Sequence, residues 1–283
     1  MLWALESPSF LALDHTANYF YKAGHREVIH DILLELDEKP EAVNHFFEGL
    51  GYMPLGRYFE QLLFYIMARD PYYKVRWQNQ QIINDEGITE GEIDLIVEKD
   101  TGEIEHWEIA LKYYLQVKPS TDHQYYLGPS RRDFLAKKME KLNRHQLKLG
   151  AHPQTLAEFG EIPSKLFLKG ELYFPRERDL VFPEAHQAKA PLYYYLPFSQ
   201  LDSLAEESPH FKILFKPDWL SPFESSGPSL MRSFHQVKME LGEQFSNLYR
   251  PQLLALLDFH EGSFVERQRF FILPDNWPQE SIY

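Results

Sequence analysis

Two carboxylates, Asp94 and Glu108, flank the polar stretch Lys99-Asp100-Thr101-Gly102 inside the segment Gly91 to Lys112. A three-residue hairpin loop, Asp100-Thr101-Gly102, with Gly102 at its left-handed position makes Lys99 face Glu103, so that paired positions sum to 202. That register sets Asp94 opposite Glu108, and strand alternation puts His106, Ala110 and Lys112 on the Glu108 side. Directly opposed carboxylates repel and weaken a strand pair unless a cation lies between them. The chemistry this suggests is a divalent-metal site. Hard oxygen ligands completed by waters suit Mg²⁺ or Mn²⁺, and Lys112 could steady a developing negative charge. Glu60, upstream, is a further candidate ligand or a holder of a coordinated water. The same residues also fit a partly exposed β-face whose acids simply pair with Lys112 and neighbouring arginines.

The elements that must position these groups follow from periodicity. Glu27 to Leu36 and Pro40 to Leu50 carry apolar residues at three- and four-residue steps and predict helices, Pro40 serving as a first helical residue. Leu55 to Ala68 is apolar around most of its circumference and predicts a buried helix, inside which Glu60 is costly unless paired or bound to something. Three strands in a meander follow: Tyr73 to Ile83, Gly91 to Glu98 and Glu103 to about Val117, the first pair joined by a turn through Asn84-Asp85-Glu86-Gly87. Arg131 to Leu149 reads as an amphipathic helix. Together these make an α/β core.

Beyond Ala151 the pattern predicts strands at Leu166 to Phe174, Ala190 to Pro197, His210 to Phe215 and Phe264 to Leu273, and a helix over Ser229 to Asp258 interrupted at Arg250-Pro251. Ser221 to Ser229 is a linker or surface loop. The organisation expected is 1–150, N-terminal helices and core, and 151–283, an α+β portion packed on that core.

Composition narrows the classes. The 283 residues are 44% hydrophobic and 25% charged, an ordinary folded protein rather than a disordered one. Aromatic residues at 15% fit a strand-rich core. No cysteine occurs, which removes disulfides, thiolate nucleophiles and cysteine-ligated metal centres. No two of the twelve histidines are spaced for a helical zinc pair, and glycine-rich phosphate loops and a Gly-x-Ser-x-Gly elbow are absent. The N-terminus lacks the basic and uninterrupted apolar regions of a signal peptide, so a cytoplasmic protein is expected. The net charge of -13 opposes a general nucleic-acid coat, yet Leu111 to Gly150 holds nine Lys or Arg against three acids, leaving -19 in the remainder. That strip is either a solvated helix face or a contact surface for an acidic partner.

The Asp on one strand, the Glu and Lys on the next and the Glu in a preceding helix resemble the core of the PD-(D/E)XK nuclease superfamily. There the Lys usually stands two residues after the acid; here that position is Ala110, and Lys112 lies two further on the same face. Leu55-Gly56-Arg57-Tyr58-Phe59-Glu60, Gly91-Glu92-Ile93-Asp94-Leu95, His106-Trp107-Glu108-Ile109-Ala110-Leu111-Lys112, Gly128-Pro129-Ser130-Arg131-Arg132-Asp133 and Trp277-Pro278 are similar to an uncharacterised bacterial family grouped in that superfamily. The resemblance implies a restriction-endonuclease-like mixed sheet flanked by helices, with additional α+β C-terminal elements. It implies Asp94, Glu108 and Glu60 as ligands of Mg²⁺ or Mn²⁺ and Lys112 as the catalytic lysine. Arg131, Arg132, Lys137, Lys138 and Lys141 would then meet nucleic-acid phosphates, with Gln146 as a polar contact. The function expected is metal-dependent phosphodiester cleavage of DNA or RNA. The alternative is a catalytically inactive nuclease-fold module that binds nucleic acid or a protein partner, the C-terminal portion serving for specificity or self-association.

Overall fold

The computed structural model describes residues 1–84, 86–247 and 249–278. Asp85 of the expected turn lies outside the described residues. In chain order the elements are α1 (Leu2–Glu6), α2 (His25–Glu38), α3 (Glu41–Leu50), α4 (Leu55–Met67), β1 (Tyr73–Ile83), β2 (Thr89–Lys99), β3 (Ile104–Gln116), β4 (Tyr126–Leu127), α5 (Leu135–Arg144), α6 (Pro153–Phe159), β5 (Ser164–Pro175), β6 (Tyr193–Pro197), β7 (His210–Leu214), β8 (Glu224–Ser225), α7 (Phe234–Asn247), β9 (Gln252–His260) and β10 (Ser263–Leu273). The architecture is mixed α/β, with ten strands among the described residues, paired both parallel and antiparallel. None of its helices, among the described residues, is long and apolar enough to cross a membrane.

The chain divides into two compact units, and three elements run from one into the other: β3, α5 and β5. The first unit comprises Met1–Lys112 and Met139–Lys169. β1, β2 and β3 form the expected antiparallel meander, with a register shift between Val75 and Trp77 on β1. α4 supplies the apolar surface its composition requires: Phe59, Leu63 and Ile66 are fully buried. Trp107 stacks on Phe167 of β5 with ring centroids 5.5 Å apart, and Phe59 stacks on the same Phe167 ring at 6.2 Å. Trp107, Phe59 and Phe167 are among the largest fully buried side chains and so help fix where β3 lies.

The second unit comprises Tyr113–Lys138 and the chain from Gly170 onward. Here β5 and β6 pair in parallel, as do β6 and β10, while β10–β9 and β9–β7 are antiparallel. Its core gathers Leu196, Phe211, Ile213, Val237, Leu241, Leu254, Leu256, Phe270 and Ile272. The helix expected across Ser229 to Asp258 is confined to Phe234–Asn247; Gln252–His260 is a strand. Leu253, Leu254, Ala255, Leu256 and Leu257 are good helix formers, but they are completely buried between β7 and β10, and pairing on both edges overrides propensity. The linker candidate Ser221 to Ser229 lies within this unit and carries β8, which pairs with β10.

Arg131 to Leu149 is helical only over Leu135–Arg144. Upstream, the N–H of Gly128 donates to Asp133 O at 2.8 Å, Arg131 takes a left-handed φ of 61°, and Phe134 bridges to Leu127. Downstream the chain tightens into a 3₁₀ turn, Gln146–Ala151, which buries Leu149 and Gly150.

Candidate active site on the β2–β3 hairpin

The turn that sets the register forms as its residues dictate. Lys99 N–H donates to Glu103 O at 2.8 Å, Gly102 N–H returns to Lys99 O at 2.9 Å, and Gly102 sits at φ 86°, a conformation glycine adopts without a Cβ penalty. The pairs Leu95–Trp107, Ile96–His106, Val97–Glu105 and Glu98–Ile104 all sum to 202. One step further, where the sequence sets Asp94 against Glu108, Asp94 Oδ2 accepts the backbone N–H of Ile109 at 2.8 Å. A side chain thus takes over a ladder bond, and it anchors the Asp94 carboxylate beside Glu108.

Glu108 is fully buried. Its Oε2 accepts from Gln146 Nε2 at 2.7 Å, and its Oε1 lies 3.5 Å from His106 Nε2. His106 is equally buried; its Nδ1 shares a hydrogen bond of 2.9 Å with Ser164 Oγ, while Nε2 has no hydrogen-bond partner. Burial pushes the His106 pKa down to about 4, against the opposing pull of Asp94, so the imidazole is neutral at physiological pH. Neither of these two groups beside Glu108 carries a positive charge. With the proton on Nδ1, the Nε2 lone pair lies 3.5 Å from Glu108 Oε1; with the proton on Nε2, that N–H meets a carboxylate oxygen too distant for a normal hydrogen bond.

Lys112 and Ala110 continue the same side of β3. Ala110 is buried and Lys112 partly exposed, so the lysine is the first basic side chain beyond Glu108 on that side. Glu60 is tied to Arg57. Arg57 Nη1 donates to Glu60 Oε2 at 2.7 Å and to Asn79 Oδ1 at 3.2 Å, and it lies 3.9 Å from Glu92 Oε1. Glu60 therefore joins Glu92, two residues before Asp94 on β2, through a shared guanidinium. Among the described residues no three His, Cys, Asp or Glu side chains gather closely enough to hold a metal ion, so Asp94, Glu108 and Glu60 do not form a closed three-ligand set.

The basic residues fall in different settings. Arg131 and Arg132 occupy the tight turn before α5, Lys137 and Lys141 are exposed one helical turn apart on α5, and Lys138 is partly buried. Gln146, expected among the nucleic-acid contacts, spends its amide on Glu108. Sequence reasoning passed over Ser164 and Arg57. Arg57 had a signal, its spacing of three from Glu60 on a helix; Ser164, separated from His106 by 58 positions, had none.

The hairpin thus brings two carboxylates, Asp94 and Glu108, beside a neutral, buried imidazole. A family model described as a domain of unknown function, DUF1853, matches residues 1–273. The chain belongs to the DUF1853 family. No curated protein and no solved structure matches it. In this DUF1853 chain the match spans both units, the hairpin included.

Proposed function

We propose that this protein is a divalent-metal-dependent phosphodiesterase acting on nucleic acid, with Asp94 and Glu108 holding the ion and Lys112 facing the scissile phosphate. The observation that supports this most is the hairpin register, which sets the Asp94 carboxylate beside a fully buried Glu108 whose neighbours Gln146 and His106 are neutral. Opposed carboxylates repel, and a divalent cation between them would offset that repulsion. Mg²⁺ or Mn²⁺, when bound, supplies charge neutralisation at the phosphate and acidifies a water.

The chain's own residues then have separable tasks. The Ile109 N–H and the Gln146 amide fix the two carboxylates, so little reorganisation is needed as charge develops. Lys112 offers its ammonium to the phosphate oxygens. Lys141, exposed on the part of α5 that belongs to the hairpin's unit, supplies a phosphate contact that orients the strand without reading its bases, and Arg131, Arg132 and Lys137 are separate candidates for phosphate contact in the second unit. Glu60, tied by Arg57 to Glu92, stabilises the rim of the acidic face.

A second reading, a non-catalytic nuclease-fold module that binds nucleic acid or a protein, is favoured by Ala110 at the usual lysine position and by the lack of a third gathered ligand among the described residues. One experiment separates the two: calorimetric Mn²⁺ titration of wild type and Asp94→Asn, followed by incubation of both with labelled single- and double-stranded DNA and RNA. The amide can still accept the Ile109 N–H, so the melting temperature should move by no more than about 2–4 °C while Mn²⁺ binding and cleavage are lost together. Retained nucleic-acid binding with no Mn²⁺ uptake by the wild type establishes the second reading.

A further inference from the structure

Away from the hairpin, the first unit contains a cavity of about 250 Å³ lined by Glu6, Ser7, Tyr19, Arg26, Phe167 and Lys169, among others. One wall is the end of α1, another the start of α2, and the third the stretch of β5 that carries Lys169. Lys169 is buried, only 7% exposed, between Leu168 and Gly170 on a strand that also buries Glu171 two positions on. Its ammonium donates to the backbone carbonyls of Leu5, at 3.0 Å, and Ser7, and it stands 4.9 Å from the Phe167 ring centroid. Two of its three N–H donors are thus taken by neutral carbonyls, and none of its hydrogen-bond partners is an anion.

The acid nearest in electrostatic effect, Glu6, is already engaged: its Oε1 lies 3.1 Å from Arg26 Nη1 and 3.0 Å from His30 Nε2. Ser7 Oγ, on the same wall, is buried with no hydrogen-bond partner among the described residues. A buried ammonium whose hydrogen-bond partners are neutral, a hydroxyl with none among the described residues, and the Arg26 guanidinium, itself paired with Glu6, therefore border one space. Buried cations are stable when an anion is hydrogen-bonded to them, and buried hydroxyls are rarely left unused. The aromatic wall of Tyr19, Phe20 and Phe167 gives the space an apolar side.

We propose that this cavity is a binding site for a small oxyanion, a carboxylate or phosphate group on a compact organic body, held by the Lys169 ammonium, the Ser7 hydroxyl and Arg26. The volume falls just below the range of pockets that enclose drug-sized ligands, which suits a small metabolite and excludes a run of nucleotides. Burial of Lys169, which pushes its pKa down to about 8, is the same electrostatic deficit that an anion would remedy. The site is independent of the phosphodiesterase reading, since none of its residues belongs to the hairpin.

Calorimetric titration of the full chain with inorganic phosphate and, separately, acetate and succinate tests it. At least one of the three should bind wild type with a dissociation constant of about 1 mM or tighter. Lys169→Met keeps the side chain's length and removes the charge, and it should weaken that binding at least ~10-fold. Ser7→Ala guards against a folding defect at Lys169: deleting an unsatisfied hydroxyl should leave the melting temperature of the unliganded protein unchanged or higher, yet weaken binding. Preference for phosphate over both carboxylates, or the reverse, identifies the ligand's anionic group. No binding of any of the three by wild type, or equal binding by wild type and both variants, overturns the proposal.

Discussion

A lysine in an apolar strand loses hydration that two carbonyls only partly replace, and this makes Lys169 a pH reporter for the folded state. Its pKa falls from the ordinary 10.5 to about 8, with burial the leading cause and Glu6 opposing it. The folded chain releases this proton near pH 8 and the unfolded chain near 10.5, so between those values the unfolded state binds more protons and stability rises with pH. The slope expected from this one group is at most ~1.4 kcal/mol per pH unit. Urea unfolding of wild type and Lys169→Met across that interval should show the wild type gaining on the variant as pH rises; parallel curves would refute the assignment. The sequence shows Leu166 to Phe174 as a strand, and charged Lys169 and Glu171 at alternate positions within it were the available sign of buried ionic groups. Glu171 indeed meets the buried Arg269 at 3.2 Å in the second unit. Asp94, Glu108, Ala110 and Lys112 were readable because a strand repeats every two residues and Gly102 fixes the turn. Gln146, 38 positions from Glu108, leaves no such periodic trace.

Among the elements, the 3₁₀ turn Gln146–Ala151 does most to shape the hairpin's buried face, since it carries both the Gln146 amide and the close approach of Gly150. A Cβ added at Gly150 would collide with Ser164 Oγ and come within 3.0 Å of His106 Nδ1. Gly150→Ala should therefore expel the Ser164 hydroxyl from His106 and destabilise the protein by about 1–3 kcal/mol. Because the obstructing atom is a hydroxyl, the cost should shrink in the background of Ser164→Ala, a coupling that a double-mutant cycle of thermal melts measures. Strictly additive losses would mean that Gly150 is needed for backbone reasons alone. This turn was hidden in the sequence by the apolar spacing of Leu142, Leu147 and Leu149, which continues the period of α5 although the helix stops at Arg144. The same weakness misplaced Gln252–His260: a continuous apolar run reads equally as buried helix or buried strand, and only pairing on both edges decides.

At the scale of the whole chain, the sequence suggests a division at residue 150, and the contacts made by residues 151–169 bear on whether the piece before it folds. His106 donates its backbone N–H to Pro163 O at 3.0 Å and shares its ring hydrogen bond with Ser164. Leu166 accepts from Ala17 N–H at 3.0 Å and donates to His15 O at 2.8 Å, which ties the N-terminal segment to β5. Leu166, Phe167 and Leu168 are each no more than 3% exposed, and Phe167 is the ring between Trp107 and Phe59. Each such side chain contributes roughly 1.5–3 kcal/mol through burial, against a total stability of about 5–15 kcal/mol for an ordinary domain. Ending the chain after residue 150 removes all three, exposes the faces of Trp107 and Phe59 and takes away the partner of His106. The fragment 1–150 should accordingly lack a cooperative urea transition and give poorly dispersed amide resonances, even though it contains Asp94, Glu108, Lys112 and Glu60. Cooperative unfolding of that fragment would mean that the helices and the β1–β3 meander form a self-sufficient core, and that Ser164–Lys169 adds to it without being required. The two results also fix how the hairpin site can be studied: loss of folding obliges every metal and nucleic-acid measurement to be made on the full chain, because without Ser164 the ring of His106 loses the hydrogen bond that orients it toward Glu108.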